Sequence, residues 1–436
     1  MDQNIELSLG MRIIYKDRQL TFFEEQLLMA NPVSESYKLL DEVLSNRSLI
    51  KTLAKDIPET SEGRHRFPVE QTLRILVLKH QKKLSYRNLE RQLKYDTEDR
   101  WFCKITDVPC FKTLQNQLAL LQEGTIKKIN DLVMREAQSL KLTKGEKMRV
   151  DSTVTEMNIH YPTDASLLGD GLRLLARGLS KSGIIEGVGR LTSSFKRLAN
   201  RVRSLGRASK DVVKDCLSKM VVISEKAIEK AKGIKENVLR QTVATYRKIV
   251  KQAKQVLKGT TTIPDRIVSF FEPSARPIRR GKPGGKSTEF GQVVQIQEDE
   301  HFVSSWHISG KKQDEAYLSE ALKEHKRIFK RKPKSIATDR GYYSAENIQQ
   351  MRDAGIRQIS IPKKGKLNGH EKKRQRKSWF QDLQKYRAGG EAKISWLKRC
   401  FGLDRCLYKG EQGFGRWVGA GILANNLKVM TKLMVN

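Results

Sequence analysis

The second half of the chain alternates short apolar runs with longer segments whose apolar residues recur every three or four positions. Residues 335–338 form one short run, which ends on Asp339 and is followed by a helix that Ser344 can cap. An earlier run, 148–150, ends on Asp151 in the same way. Because the carboxyl ends of strands form the ligand-binding rim of an α/β sheet, both acids are candidate site residues. For Asp339 alone, a turn cap is an equally good interpretation.

The same alternation predicts the remaining elements of this half. An acidic turn at 298–300 joins two segments of strand character and predicts a hairpin. Strands that alternate with helices after a hairpin indicate a mixed α/β fold, in which helices cover the faces of a mixed sheet. The predicted elements are strand 289–296, strand 301–309, helix 313–329, strand 335–338, a helix, strand 358–362 and a helix that carries Glu391.

Helical periodicity dominates the N-terminal part of the chain. It predicts a helical segment over 1–62, to which we assign no role, and an all-α domain over 63–142. In that domain a short break precedes a helix capped by Ser85, with Arg87 and Arg91 on its outer face. A helix, a tight turn and a basic-faced helix suit a DNA-binding helix-turn-helix. A small structural bundle fits the same pattern.

A different pattern covers residues 164–259. This segment has no proline, is rich in Lys and Arg, and keeps apolar residues three or four positions apart. That spacing is typical of long helices that pack on one another, and it predicts an inserted helical subdomain between the first and second strands. Its basic outer face could line DNA, or it could simply be solvated. A linker rich in proline and glycine follows at 263–286.

Composition narrows the class of partner. The 436 residues carry a net charge of +35, and 38% of them are apolar, so the chain can bury a core and still attract a polyanion. The five cysteines have no metal-knuckle spacing, which indicates reduced thiols in a cytoplasmic protein. Neither a signal peptide nor a membrane span is expected. His160, His301 and His307 lack the spacing of zinc ligands and are interpreted as structural.

Cations gather between the last predicted strand and the Glu391 helix. The stretch 363–377 combines closely spaced Lys and Arg with aromatic neighbours, a composition that suits a phosphate backbone. On a helix, Arg387, Glu391 and Lys398 would share one face, which by itself is no more than a surface ion-pair ladder. The glycine pair 389–390 predicts that the regular helix begins only near Glu391. The candidate DNA-binding residues of the basic stretch are Lys372, Lys373, Arg374, Arg376 and Lys377.

Three acids on separate elements of one sheet are suited to hold divalent metal against phosphate. The spacing Arg387-x3-Glu391-x6-Lys398 resembles the Y-x2-R-x3-E-x6-K signature of bacterial insertion-sequence DDE transposases. The signature places its tyrosine at position 384, which is Gln384 here, whereas Tyr386 is adjacent to the arginine. The tyrosine's role therefore stays open.

Three further segments carry the same resemblance. Residues 339–342, Asp-Arg-Gly-Tyr, are similar to the second-acid motif of these transposases, and residues 150–153, Val-Asp-Ser-Thr, are similar to the first. Residues 64–121 resemble their N-terminal helical domain. The resemblance implies an RNase H-like catalytic domain built from 143–163 and 260–436. The implied catalytic residues and metal ligands are Asp151, Asp339 and Glu391.

The resemblance also implies a function. The expected cofactors are two Mg²⁺ or Mn²⁺ ions, and Arg387 and Lys398 are expected to hold DNA phosphates. The expected activity is that of a DNA transposase, acting as a homodimer, that cleaves the ends of its own element and joins them to target DNA. It is expected in the bacterial cytoplasm, near the nucleoid. A catalytically idle DNA-binding protein and a metal-dependent nuclease without a joining step remain alternatives.

Overall fold

The computed structural model describes residues 7–8, 12–13, 22–58, 67–184, 186–205, 209–232, 236–260, 262–279, 288–309 and 314–435. Its Cα positions divide into two units. The first unit combines 1–156 with 293–436, and the second is the continuous segment 157–292. The predicted start of the helical domain near Arg64, part of the linker, and the first residue of the predicted helix 313–329 lie outside the described residues.

The N-terminal part of the first unit is helical, apart from a two-residue antiparallel hairpin of strands β1, Leu7–Ser8, and β2, Arg12–Ile13. The helices are α1 Phe22–Ala30, α2 Glu35–Leu44, α3 Arg47–Ala54, α4 Val69–Gln81, α5 Tyr86–Tyr95, α6 Thr97–Phe102, α7 Phe111–Ala119 and α8 Glu123–Ser139. Ser85 caps α5, as predicted, by accepting the Asn88 N–H. Helix α4 is buried from Val69 to His80, so it lies in the core of this helical part.

The sheet of the chain is mixed. Strand β7 is parallel to both β3 and β8, whereas β5 and β6 form an antiparallel hairpin. The order β6-β5-β3-β7-β8 forms its main body, with β4 beside the start of β5 and β9 beside β3. The strands are β3 Lys147–Met157, β4 Arg276–Ile278, β5 Glu289–Asp299, β6 Phe302–Ser309, β7 Ser335–Thr338, β8 Gln358–Ser360 and β9 Arg405–Cys406.

The predicted hairpin turn at 298–300 is wrong by two residues. Strand β5 continues to Asp299, and Glu300 takes the left-handed conformation of the turn with φ 43°. Glu298 and Asp299 stay in the strand because each has an internal partner: Glu298 pairs with Arg149, and Asp299 accepts the Thr143 hydroxyl and a backbone N–H. Buried carboxylates of this kind are tolerated when they are paired.

Helices cover the sheet and complete the first unit. They are α13 Leu318–Phe329, α14 Ala345–Asp353, α15 Gly369–Arg376, α16 Ser378–Phe401 and α17 Gly410–Val435. The last of these, α17, packs against α2, α4, α8, α16 and β6. Among the described helices none is long and apolar enough to cross a membrane. A mixed sheet with flanking helices and a helical N-terminal region agrees with the predicted RNase H-like fold.

The second unit contains, in its described residues, the long helices predicted for the insertion. They are α9 Asp164–Lys181, α10 Val188–Leu205, α11 Lys210–Lys230 and α12 Asn237–Leu257. Gly171 allows a close approach in their shared core, because a Cβ there would lie 2.2 Å from the Tyr246 ring. The Tyr246 hydroxyl donates to the Leu168 carbonyl at 2.9 Å. The unit therefore has a hydrophobic core of its own.

Candidate active site

Asp151 and Asp339 lie at neighbouring positions on two adjacent strands. Strands β3 and β7 are parallel, with Val150 opposite Thr338, and each aspartate is the next residue along its strand. Asp339 directly follows the end of β7, whereas β3 continues past Asp151. Parallel pairing therefore brings the first two predicted acids to the same edge of the sheet.

The Asp339 carboxyl has a structural contact as well. Its Oδ1 atom accepts the Gly341 N–H at 2.8 Å and caps a short 3-10 turn, Arg340–Tyr342. The turn-cap interpretation of Asp339 is thus correct as far as it goes. Because the contact engages a single N–H and fixes the side chain at the end of β7, it is compatible with a second role for the carboxyl group.

Arg387 connects the first acid to the third. It lies on α16, where its Nη1 atom is 3.8 Å from Asp151 Oδ2 and its Nη2 atom is 3.5 Å from Glu391 Oε1. The Arg387 side chain is 19% exposed, whereas that of Glu391 is 66% exposed. The predicted helical face therefore exists, and it is turned toward Asp151. Lys398 follows on the same helix and is half-buried.

The electrostatics of this site favour a cation. Burial raises the pKa of Asp151 above its ordinary value, and the nearby carboxylates of Asp339 and Glu391 raise it further. The Ser152 N–H and the Arg387 guanidinium act in the opposite direction and lower that pKa. A carboxylate that is desolvated and repelled by two others is stabilised by added positive charge.

Helix α16 is continuous through the glycine pair, so the prediction that the regular helix begins near Glu391 is wrong. The helix packs closely on the buried ion pair of Arg149 and Glu298 at this point. A Cβ at Gly390 would lie 3.3 Å from Arg149 Nε and 3.5 Å from Glu298 Oε1. The glycines therefore provide room for a close approach, and they do not end the helix.

Arg149 ties the strand of Asp151 to the helix of Glu391. Its Nη1 atom donates to the Tyr386 carbonyl at 2.8 Å, and its guanidinium lies 4.8 Å from the centre of the Tyr386 ring. Burial raises the pKa of Glu298, an effect that Arg149 opposes. Sequence reasoning missed this pair, although Arg149 precedes Asp151 by two residues and so belongs to the same face of β3.

Gln384 and Tyr386 have different surroundings. The Gln384 side-chain amide donates to the Ser360 carbonyl at 2.9 Å and to the Thr338 carbonyl at 3.3 Å. It therefore joins the ends of β8 and β7 directly beside Asp339. The Tyr386 hydroxyl instead accepts the Glu300 N–H at 3.0 Å, at the β5–β6 turn. The residue at the signature's tyrosine position thus contacts the strand ends, and Tyr386 does not.

Four of the predicted cations of the basic stretch, Lys372, Lys373, Arg374 and Arg376, lie on helix α15, which packs against α16, and Lys377 directly follows it. Arg374 is engaged within the protein, where it donates to the carbonyls of Ile359 and Ile361 and pairs with Glu371. The other four predicted cations are exposed to solvent.

The remaining candidates, Arg87 and Arg91, lie on α5 in the N-terminal helices. Both side chains are exposed. The Arg87 guanidinium stands 5.1 Å from the centre of the Phe111 ring. Arg91 and Tyr95 line an open cleft of about 820 Å³. Tyr95 is 80% exposed, and sequence reasoning did not single it out.

No preformed metal cage is present in the part of the chain that the structure describes, since no three His, Cys, Asp or Glu side chains there stand close enough to hold an ion. Of the histidines interpreted as structural, His160 lies 3.5 Å from Asp170 and His307 lies 3.5 Å from Glu320. None of the five cysteines, all of which the structure describes, forms a disulfide.

Comparison with protein-family models decides the class of protein. Residues 265–427 match the family described as Transposase DDE domain, and residues 25–117 match that described as Transposase domain (DUF772). The chain belongs to the insertion-sequence DDE transposases. The first match contains Asp339 and Glu391 of this transposase, and Asp151 precedes it. Comparisons with curated proteins and with solved structures give no match.

Membership in this family gives the transposase a general activity and substrate. It is an enzyme of the polynucleotidyl-transferase and nuclease type, and its substrate is DNA. Enzymes of this family typically use divalent metal ions. The carboxylate oxygens of Asp151, Asp339 and Glu391 are the ligands that Mg²⁺ prefers, and the raised pKa of Asp151 marks a place where positive charge is favoured. In their donor chemistry, though not as a preformed cage, these residues therefore fit such ions.

Proposed function

We propose that this transposase binds the ends of its own insertion sequence, cleaves there by metal-dependent hydrolysis, and joins the freed 3′ ends to target DNA. The observation that carries the proposal is the link between Asp151, which neighbours Asp339 across two parallel strands, and Glu391 through Arg387. The proposal thus rests on three acids from three elements, with one guanidinium on the helix of the third acid.

Asp151, Asp339 and Glu391 would hold two divalent ions, Mg²⁺ or Mn²⁺. When bound, such ions activate the attacking oxygen and stabilise the leaving oxygen of an in-line displacement at phosphorus. Asp339 is held at the end of β7 by its contact with Gly341, and Asp151 is fixed within β3. Glu391 is the most exposed of the three and is held by Arg387.

The reaction has two steps in this proposal. In the first, water attacks phosphorus at the end of the element and breaks the P–O3′ bond, which leaves a 3′-hydroxyl on the element. In the second, that hydroxyl attacks phosphorus in the target strand, and the target's own 3′-oxygen leaves. Arg387 would hold a non-bridging phosphate oxygen with its planar fork, and Lys398 would act as a point charge on a neighbouring phosphate.

The exposed cations would hold the DNA around this site. Helix α15 packs against the helix of Glu391, so its side chains Lys372, Lys373 and Arg376, and Lys377 directly after it, would contact the backbone near the scissile phosphate. Arg87 and Arg91 on α5 would contact the ends of the element, and a homodimer would hold two ends together. Phosphate contacts of this kind position DNA and do not read its sequence.

Asp339→Asn tests the proposal. The amide keeps an oxygen that can accept the Gly341 N–H, so the turn is retained while the carboxylate is lost. We expect cleavage of DNA carrying the ends of the element to fall by at least about a thousandfold, since metal and oxyanion stabilisation supply several kcal/mol. Affinity for the same DNA should change by less than about threefold, because phosphate contacts carry it.

Asp353→Asn is the matched control, because it makes the same charge change on the exposed end of α14. It should cleave like the wild type. Cleavage by Asp339→Asn at the wild-type rate, or equal losses of cleavage and binding, would refute the assigned role. A parallel assay with pre-cleaved ends measures joining, and its absence in the wild type would indicate a nuclease.

A further inference from the structure

Helix α10 of the second unit is basic throughout. Its 18 residues contain no Asp or Glu, and its five cations are all exposed: Arg190, Lys196, Arg197, Arg201 and Arg203. Three of them, Arg190, Arg197 and Arg201, are spaced seven and four positions apart and so lie along one side of the helix. At 1.5 Å per residue this row is about 16 Å long.

The side of α10 away from this row packs against the rest of the bundle. Phe195 is buried in the bundle core, and Leu191, Leu198 and Val202 pack against that core. A helix that binds a membrane surface needs a free apolar face, which α10 does not have. The basic row is therefore the surface that this helix offers to a partner.

A groove of about 550 Å³ lies between α10 and α11 and is bordered by this row. Its cations are Arg197 and Arg201 from α10 and Lys219 from α11, with the hydroxyls of Ser194 and Ser218 beside them. Lys219 pairs with Asp215 at 2.6 Å. Within the described residues, neither Arg197 nor Arg201 pairs with a carboxylate; Arg197 donates to the Ser194 hydroxyl at 3.4 Å.

The groove on the other side of α11 provides a contrast. It lies between α11 and α12 and measures about 410 Å³. Its cations are Lys232, just past the end of α11, and Arg247, Lys251 and Lys254 of α12. Two acids line it as well, and each is paired: Glu225 with Lys254 and Glu229 with Lys232. Acids therefore pair with two of the four cations of this second groove, Lys232 and Lys254, whereas no acid in the described part of the chain lines the first groove. In the first groove two guanidinium groups and two hydroxyls are free of acid partners among the described residues.

We propose that the α10–α11 groove binds the sugar-phosphate backbone of duplex DNA, as a contact in addition to those of the catalytic unit. The inference rests on the proposed action of the chain on DNA. Planar guanidinium groups bind phosphate oxygens through two parallel hydrogen bonds, and serine hydroxyls donate to them as well. Duplex DNA carries one charge per ~1.7 Å of axis, so a row of about 16 Å meets several phosphates.

The test is the salt dependence of duplex binding by the full chain. The variant R190Q/R197Q/R201Q is compared with R240Q/R247Q/K251Q, which removes the same charge from exposed positions of α12. Each phosphate contact contributes about 0.9 to the slope of log affinity against log salt. We expect the slope of the α10 variant to fall by about 2–3 and that of the α12 variant to fall by less than about 1.

Equal falls in the two variants would overturn the inference, because they would show bulk attraction only, and so would an unchanged slope in the α10 variant. A fall seen with single-stranded RNA but not with duplex DNA would overturn it in favour of RNA. The two proposals fail separately. If the wild type binds and cleaves its element's ends and the α10 variant keeps the wild-type slope, only this inference is refuted.

Discussion

At the scale of single residues, the Arg149–Glu298 pair links the strand of Asp151 to the helix of Arg387 and Glu391. Arg149 lies on the strand of Asp151, its partner Glu298 is on β5, and its other contacts reach Tyr386 on α16. Both side chains of the pair are almost fully buried. The pair is thus a positioning device that sets the distance between the Asp151 strand and the helix that carries Arg387.

We expect Arg149→Met to lower the free energy of unfolding by about 3–5 kcal/mol, because it leaves the Glu298 carboxylate buried without a partner. The double variant Arg149→Met/Glu298→Leu should recover most of that loss, since an apolar pair replaces the ion pair. Cleavage should stay low in both variants, because neither restores the contacts to Tyr386. Urea unfolding and cleavage assays check this; full recovery of cleavage in the double variant would contradict a positioning role.

The candidate acids could be predicted at this scale because a strand-forming run that leads into an acid leaves a signal in the local sequence. Asp339 follows such a run at 335–338 and Asp151 follows one at 148–150, although β3 continues past Asp151. Arg149 and Glu298 left no such signal: Glu298 stands in an acidic triplet that suits a turn, and its burial depends on a partner almost 150 positions away. Long-range pairing of this kind is decided by tertiary packing.

At the scale of elements, α17 supports the edge of the sheet. The Asn426 side chain accepts the Val303 N–H of β6 at 3.0 Å and donates to the Val303 carbonyl at 2.7 Å and to Asn130 of α8 at 2.8 Å. It thereby satisfies backbone groups that a further strand would otherwise bind. At Val303 the Asn426 side chain therefore makes the hydrogen bonds that a neighbouring strand would make to β6.

Asn426→Leu should cost about 3 kcal/mol of unfolding free energy, because it leaves the buried Val303 N–H and the Asn130 side-chain oxygen without their partner and removes the shorter bond to the Val303 carbonyl. Lys432→Ala, at an exposed position of the same helix, should change that free energy by less than about 0.5 kcal/mol. Chemical denaturation of both variants measures the difference. A cost below about 1 kcal/mol for Asn426→Leu would show that water satisfies the edge instead.

The periodicity of the sequence predicted most elements, including the hairpin, the strand before Asp339 and the long helices of the insertion. It failed at the glycine pair of α16, where helix propensity predicted a break. Helix propensity depends on the local sequence only. The close approach of Arg149, which favours glycine at this point, depends on tertiary packing. The helices α6 and α8 also went unpredicted.

At the scale of the whole molecule, the first unit is built from two separated parts of the chain. Lys79 of α4 joins them. Its Nζ atom lies 4.8 Å from the ring centre of Tyr86, 5.3 Å from that of Tyr408 and 4.9 Å from that of Trp417 on α17. Burial lowers the pKa of Lys79 from its ordinary value near 10.5 to about 8. The aromatic rings stabilise the ammonium form of Lys79, but by less than the hydration that this group loses on burial.

This lowered pKa predicts a dependence of stability on pH. Below pH 8 Lys79 is protonated in both the folded and the unfolded protein, and the folded state bears the full cost of the buried charge. Between pH 8 and 10.5 the unfolded chain holds a proton that the folded protein has lost, so the unfolding free energy rises with pH by up to roughly 3 kcal/mol. Lys79→Met should remove that rise. Unfolding at pH 7.5 and pH 10 tests it, and equal rises in both proteins would contradict it.

The placement of α17 also has a consequence for biosynthesis. Residues 157–292 are continuous, so the second unit can fold as soon as Gln292 has left the ribosome. The first unit must wait for α17, which packs on α2, α4 and α8 and is translated after the described strands of the sheet. We expect a nascent chain to display the basic α10 groove before its catalytic sheet is complete. Under the two proposals above, a transposase still attached to the translating ribosome would be able to hold DNA but not yet to cut it.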